Sequence, residues 1–260
     1  MTTTAMILAA GQGTRLRPYT DHLPKCLIEL AGQTLLEHQA RALQRAGVEH
    51  VLVITGYQAA KIEALGYATV HNPAFATTNM VASLFCARDR MVSTTDLLIV
   101  YGDVVFESRV IRALLAEGAP LATTIDRGWQ RYWSLRMADP LADAETLKLA
   151  PNGNILELGK PPASLSDIEG QYMGLSKVRA DHVERFKRAW ADLDPAGCYD
   201  GRDKPNMFMT SFFSILLTQG WELKAVPVEH GWLEVDSVSD LELYHRLFER
   251  RELGELYHPT

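Results

Sequence analysis

The chain has 260 residues, of which 47% are hydrophobic and 22% charged, and it carries a formal net charge of −6. That length and balance suit one large α/β unit with a sizeable core. The acidic balance argues against a broad basic nucleic-acid footprint, while leaving room for a local basic pocket. No apolar run approaches the ~18 residues of a membrane span, so neither nucleic acid nor membrane is expected as a partner.

Cys26, Cys86 and Cys198 are odd in number and far apart. No metal spacing and no disulfide framework follows from them, and idle or buried thiols are expected. The start, Met1 to Leu8, lacks a basic leader, and the first arginine is Arg15. The chain is read as cytoplasmic. A homodimer is left open.

Taken in chain order, Thr4–Ala9 is a short apolar run ending in small residues, which predicts a buried first strand. Gly11 to Lys25 is rich in Gly, Pro and charge and reads as a loop. Thr34 with Glu37 forms a capping-box pattern, and Leu35–Ala46 then reads as a helix closed by Gly47. Val51–Ile54 and Leu97–Val100 predict two further buried strands, with helices expected at Lys61–Leu65 and Asn79–Met91. Arg109–Ala116 reads as a helix and Leu121–Asp126 as a strand. This alternation predicts a Rossmann-like, doubly wound, mostly parallel sheet with helices on both faces. Ligands of such sheets sit at the carboxyl ends of the strands, where the Gly11 loop and Asp103 fall.

The pattern then changes. Pro151-Asn152-Gly153 between Lys148–Ala150 and Asn154–Leu158 signals a hairpin. A strand is expected at Tyr172–Val178, helices at Asp181–Asp192 and Asn206–Thr218, and short strands at Leu223–Val228 and Leu233–Asp236. Ser239–Arg250 reads as a closing helix. This half reads as a smaller α+β part packed on the same sheet. Without repeats, low-complexity segments or an obvious linker, residues 1–260 read as a single domain with halves 1–126 and 127–260.

The first loop carries the strongest chemical signal. Residues 9–18 read Ala-Ala-Gly-Gln-Gly-Thr-Arg-Leu-Arg-Pro, followed by Pro24-Lys25. Glycines let the backbone approach a polyphosphate and aim N–H groups at its oxygens. Arg15 adds a planar charged fork suited to phosphate, and Lys25 a point charge on a flexible stem. The spacing fits neither the dinucleotide fingerprint nor the Walker A loop. Two carboxylates complete the pattern. Asp103 follows Gly102 at the end of a buried strand, well placed to hold a hard cation such as Mg²⁺. Asp236 ends the apolar stretch Trp232 to Val235, with Glu234 on the same face. Read as a glycosidase acid/base pair, these carboxylates would leave the phosphate loop without a purpose.

The loop resembles the signature of the sugar-1-phosphate nucleotidyltransferase superfamily, whose members make nucleoside-diphosphate sugars and CDP-alcohols. The resemblance implies that Ala9, Ala10, Gly11, Gly13 and Thr14 wrap an NTP, with Gly102 beside it. It implies that Arg15 and Lys25 contact its phosphates, and that Asp103 and Asp236 hold Mg²⁺. Thr78 to Leu84 resembles the Asn-x-x-x-Ser-Leu stretch of one branch, the cytidylyltransferases acting on phosphocholine, phosphonates or phosphoglutamine. Asn79 and Ser83 would then lie by the base or ribose, although Asn79 also reads as a helix cap. Ile155 to Lys160 resembles the branch's Ile-x-Glu-Ile-Gly-Lys strand, which implies acceptor roles for Glu157 and Lys160. Asp126, Trp133, Arg136 and Gly174 fall at further acceptor positions. Trp129, Tyr132, Trp133 and Trp232 present the aromatics of a cage for a quaternary ammonium.

The implied reaction joins CTP to a small phosphate- or phosphonate-bearing acceptor and releases pyrophosphate, the first half serving the nucleotide and the second the acceptor. Two alternatives stand beside it. One is a sugar-1-phosphate nucleotidyltransferase using UTP, GTP or dTTP, against which the missing Gln-Pro-x-Gly-type motif counts. The other is a catalytically silent nucleotide-binding subunit, against which the joint presence of Arg15, Lys25, Asp103 and Asp236 counts.

Overall fold

The computed structural model describes residues 2–259. In chain order the strands begin with β1 (Thr3–Ala9), a two-residue ribbon of β2 (Glu29–Leu30) and β3 (Gln33–Thr34), β4 (His50–Thr55) and β5 (Ala68–His71). They continue with β6 (Asp96–Tyr101), β7 (Val104–Phe106), β8 (Leu121–Asp126), β9 (Leu147–Leu149), β10 (Ile155–Leu158) and β11 (Gln171–Val178). A second small ribbon, β12 (Cys198–Tyr199) with β13 (Arg202–Asp203), precedes β14 (Leu223–Val228) and β15 (Trp232–Glu234). The helices are α1 (Leu35–Arg45), α2 (Ala59–Glu63), α3 (Met80–Cys86), α4 (Ser108–Ala116), α5 (Trp129–Arg136), α6 (Val183–Ala191), α7 (Met209–Thr218) and α8 (Val238–Glu249).

Seven strands form the central sheet in the order β14-β8-β11-β6-β1-β4-β5. Every pairing is parallel except those of β11, which runs antiparallel between β6 and β8. The sheet therefore takes strands from both halves of the chain. Side chains of a strand alternate between faces, and β1 and β6 show how this divides the core. Ala5, Ile7, Leu98 and Val100 enter one apolar cluster; Met6, Leu97 and Ile99 enter the other. Both clusters are fully buried at these positions, which explains the continuous apolar runs of a sheet covered on both sides. Each buried Leu or Ile contributes about 1.5–3 kcal/mol.

Local signals fix several ends. Thr34 and Glu37 form the capping box of α1, and Gly47 follows the helix at φ +86°. The helix expected over Asn79–Met91 stops at Cys86 and gives way to a short 3₁₀ turn at Arg88–Arg90. The helix expected from Asn206 begins at Met209, because Lys204–Asn206 forms a 3₁₀ turn capped by Asp203. Among the described residues no helix is long and apolar enough to cross a membrane.

Candidate active site

The loop after β1 sits at the carboxyl edge of the sheet. Leu16 is fully buried and anchors it. Gly13 takes the left-handed conformation at φ +64°, and a Cβ there would meet Lys25 Cβ at 3.0 Å. The glycine thus lets the loop lie against the Lys25 stem, while Thr20 Oγ1 donates to Gly13 O at 2.8 Å. Thr14 and Arg15 remain exposed.

The two aspartates meet for a topological reason. Asp103 immediately precedes β7, and Asp236 follows β15 by two residues. These strands pair antiparallel, with Glu234 opposite Val104, so both acids reach the same end of the ribbon. Val235 N donates to Asp103 O at 2.9 Å and locks the alignment. Gly102 makes the approach to the sheet possible, because a Cβ there would lie 2.5 Å from Leu8 O. Asp236 stands just before α8, whose Ser237 and Asp240 form a capping box; Asp236 N also donates to Asp240 Oδ2 at 3.1 Å.

Lys25 joins these parts. Its Nζ donates to Asp103 Oδ2 at 2.8 Å and to Asp236 Oδ1 at 2.9 Å. Arg15 pairs with the other Asp236 oxygen. Burial pulls the Lys25 ammonium toward losing its proton, but the two carboxylates outweigh it and its pKa is raised. Lys25 is therefore held as a cation.

Two adjoining cavities flank this point, sharing Met80 and Tyr101 in their walls. The smaller, about 150 Å³, is walled by Ala10, Gly11, Phe75, Asn79, Ser83 and Gly102 among others. The larger, about 340 Å³, is walled by Trp133, Glu145, Gln171, Gly174, Thr210 and Trp232 among others, with Arg15 and Asp236 at its edge. Asn79 lines the smaller cavity and also caps α3, its Oδ1 accepting from Met80 N at 2.8 Å. Ser83 is buried and bonded to Asn72 Nδ2 at 2.9 Å and to Asn79 O at 3.2 Å. Ala9 is buried at the end of β1, behind the wall that Ala10 and Gly11 form.

Several expected acceptor residues are placed otherwise. Asp126 is fully buried. Its oxygens accept from Gly128 N at 2.8 Å, His230 N at 3.0 Å and Trp232 Nε1 at 3.0 Å, so it ties β8 to the β14–β15 turn. The Arg136 side chain is also fully buried. It donates to Asp240 at 2.9 and 3.2 Å and to Glu234 at 3.0 Å, so all three of its nitrogens are engaged and it fixes the α8 start. Lys160 and Glu157 line neither adjoining cavity; Lys160 Nζ points at Glu157 across 3.4 Å beside β10. The aromatic cage is instead core packing. Tyr132 stacks edge-on against Trp133 and Trp232, with ring centroids 5.3 and 5.5 Å apart, and only those two tryptophans reach the larger cavity. Gly174 does line that cavity. At φ +72° its missing side chain makes room for the Tyr101 ring, which a Cβ would meet at 2.7 Å.

Other wall residues have no counterpart among the expected sites. Phe75, Tyr101, Glu145, Gln171 and Thr210 all line a cavity. Among the described residues the buried Trp133 indole N–H has no hydrogen-bond partner. Burial pushes the Glu145 carboxyl up to about 7, and neighbouring Asp143 adds to the shift. Burial likewise pushes Glu234 up to about 7, with Arg136 opposing and Asp103 and Asp236 reinforcing. Cys26 is buried and its thiol raised to about 12, while Cys86 and Cys198 are free and exposed.

Residues 5–192 match the MobA-like NTP transferase domain. The chain belongs to this family of nucleotidyltransferases. This NTP transferase is 38% identical over 248 residues to a CTP:phosphoglutamine cytidylyltransferase of Campylobacter jejuni, covering 92% of the chain and 98% of that relative. A choline-phosphate cytidylyltransferase of Streptococcus pneumoniae is 34% identical over 94 residues, covering 35% of the chain and 41% of the relative. Among solved structures, the inositol-1-phosphate CTP transferase of T. maritima aligns with a TM-score of 0.72 at 17% identity, covering 99% of this chain and 98% of that one. The fold of the NTP transferase is thus the fold of known nucleotidyltransferases, and its conformity extends over nearly the whole chain.

Proposed function

We propose that the NTP transferase is a cytidylyltransferase that joins CTP to a small acceptor bearing a phosphate or phosphonate, phosphoglutamine being the first candidate. The observation that carries this reading is the convergence of Lys25, Arg15, Asp103 and Asp236 beside the loop after β1. It arises in a chain similar over 92% of its length to a CTP:phosphoglutamine cytidylyltransferase.

A hard divalent cation takes carboxylate oxygens and completes its shell with water and substrate phosphates. Asp103 and Asp236 fit such an ion, because both already reach one cationic atom at hydrogen-bond distance. Among the described residues no group of three or more His, Cys, Asp or Glu side chains is arranged to hold a metal. The remaining positions would therefore fall to water and substrate oxygens. Bound there, Mg²⁺ would supply charge neutralisation at the reacting phosphates.

The chain's own groups supply the rest. An acceptor phosphate is anionic near neutral pH and needs no general base. The obstacle is bringing two anions together, so positioning and electrostatics carry the catalysis. The loop from Ala10 to Arg15 receives the triphosphate, and the smaller cavity by Asn79 and Ser83 receives the nucleoside. Arg15 and Lys25 neutralise phosphate oxygens as the bond between the α- and β-phosphates breaks. The larger cavity orients the acceptor, with the Trp133 N–H as a donor awaiting an acceptor oxygen. In this reading residues 1–126 serve the nucleotide, residues 127–260 mainly the acceptor, and the enzyme works in the cytoplasm.

Pyrophosphate release from purified enzyme, with CTP, UTP, GTP and dTTP each offered with phosphoglutamine, phosphocholine, aminoethylphosphonate and glucose-1-phosphate, tests the reading. CTP with a non-sugar acceptor should turn over fastest. Preference for another NTP with the sugar phosphate would contradict it.

A further inference from the structure

We infer that Lys25 is the resident cation of the metal site in the nucleotide-free enzyme, so that a divalent metal is admitted only together with the triphosphate that draws Lys25 away. The inference rests on the metal-triphosphate reading above and adds an order of binding to it.

Lys25 Nζ lies within hydrogen-bond distance of one oxygen of each aspartate, and Arg15 takes the second oxygen of Asp236. Only Asp103 Oδ1 is left without such a bond among the described residues. Two carboxylates and two cations make a locally neutral cluster, and the Lys25, Asp103 and Asp236 side chains are only 14%, 26% and 15% exposed. A bare divalent ion entering here would meet the ammonium at contact range. At an effective dielectric of about 20, repulsion between unit charges about 4 Å apart is enough to weaken binding by well over tenfold.

The geometry also limits how Lys25 can yield. Its backbone opens a 3₁₀ turn after Pro24, and the next residue, Cys26, is buried at 1% exposure. Its stem lies against Gly13, which has no side chain to spare it that contact. The backbone is thus fixed, and the ammonium end is the part free to swing. The nearest new partner is whatever anion occupies the Gly11–Arg15 loop. A triphosphate there would attract both Lys25 and Arg15, uncover the two carboxylates and bring its own oxygens to the metal. Binding of nucleotide and metal is then strongly coupled, each raising the affinity for the other.

Mn²⁺ binding, read by the electron paramagnetic resonance signal of free Mn²⁺, tests this without turnover. It is measured for wild type, Lys25→Met and Lys25→Gln, with and without the non-reactive analogue α,β-methylene-CTP. Circular dichroism checks that the variants fold. Without nucleotide, either folded Lys25 variant should bind Mn²⁺ at least roughly tenfold more tightly than wild type, about 1.4 kcal/mol. Adding Asp103→Asn should abolish that gain. Wild type should acquire tight Mn²⁺ binding once the analogue is present, beyond the Mn²⁺ that the free analogue holds in a protein-free control, and if neither variant folds, Lys25→Arg, which keeps the cation, should exclude nucleotide-free Mn²⁺ as wild type does. Wild type binding Mn²⁺ equally well with and without the analogue, or as tightly as a Lys25 variant, would overturn the inference and leave the proposed reaction standing. No uptake by wild type even with the analogue would overturn both.

Discussion

At the residue scale, the decisive groups are few and chemically ordinary. Asp103 and Asp236 gain their meaning from meeting at Lys25. If the proposed reaction holds, replacing either by Ala removes a carboxylate from the reacting phosphates, and turnover should fall on the order of 10²–10³-fold or more. The fold should survive, since both side chains lie at the cavity edge. Steady-state pyrophosphate release and circular dichroism check both halves; wild-type rates would remove these residues from the site. Arg136 makes the opposite prediction. Its side chain is fully buried between Glu234 and Asp240, so Arg136→Ala leaves the buried Asp240 carboxylate and the partly exposed Glu234 without their cation. Stability should drop by about 3–5 kcal/mol, read as a lower urea midpoint. A midpoint matching wild type would show that the triad is not structural. Both aspartates are legible in the sequence because each ends an apolar stretch. The engagement of Arg136 by two carboxylates is not, because its partners lie 98 and 104 residues away.

At the scale of elements, apolar runs make β1, β4, β6 and β8 readable, since strands covered on both faces carry no alternation to misread. The capping pair Thr34 and Glu37 makes α1 readable. Helix α5 escapes the sequence because Trp129, Tyr132 and Trp133 are all buried together with the Arg136 side chain, so it shows no clear polar face. Of the three-residue strands β7 and β15, only β15 is legible, in the strand expected at Leu233–Asp236; β7 is hidden, yet their pairing is what aligns Asp103 with Asp236. Lys160 looked attractive by motif, but β10 carries it outside both cavity walls. The parallel pairing of β6 with β1 gives a prediction at this scale. A Cβ on Gly102 would meet backbone, Leu8 O at 2.5 Å, and a carbonyl in a strand cannot step aside. Gly102→Ala should cost about 1–3 kcal/mol and displace Asp103, lowering both the melting temperature and kcat. Unchanged values for both would show that the strand edge is slack.

For the whole molecule, the sheet order decides what the sequence could reveal. Parallel strands alternating with helices announce the nucleotide half, whereas the antiparallel entry of β11 between β6 and β8 joins segments that no local pattern links. The larger cavity is built across that join, which is why Glu145, Gln171 and Thr210 could not be singled out from sequence. Glu145 gives the pH prediction. Its carboxyl is raised from 4.5 to about 7, chiefly by burial. A raised carboxyl means the native state holds the proton more tightly than the unfolded chain. Its contribution is therefore fully present below about pH 4.5 and is lost as pH rises through about 7. Glu145→Gln should be more stable than wild type at about pH 8 and gain less at about pH 5, as read by urea midpoints. An equal difference at both pH values would contradict the assignment.

The most direct test of the account is a crystal structure of the enzyme with CTP analogue and Mg²⁺. One metal ion bonded by Asp103 and Asp236, the triphosphate along Gly11 to Arg15, and Lys25 turned from the aspartates to the phosphates are expected. A triphosphate bound elsewhere, or a metal that touches neither aspartate, would contradict it.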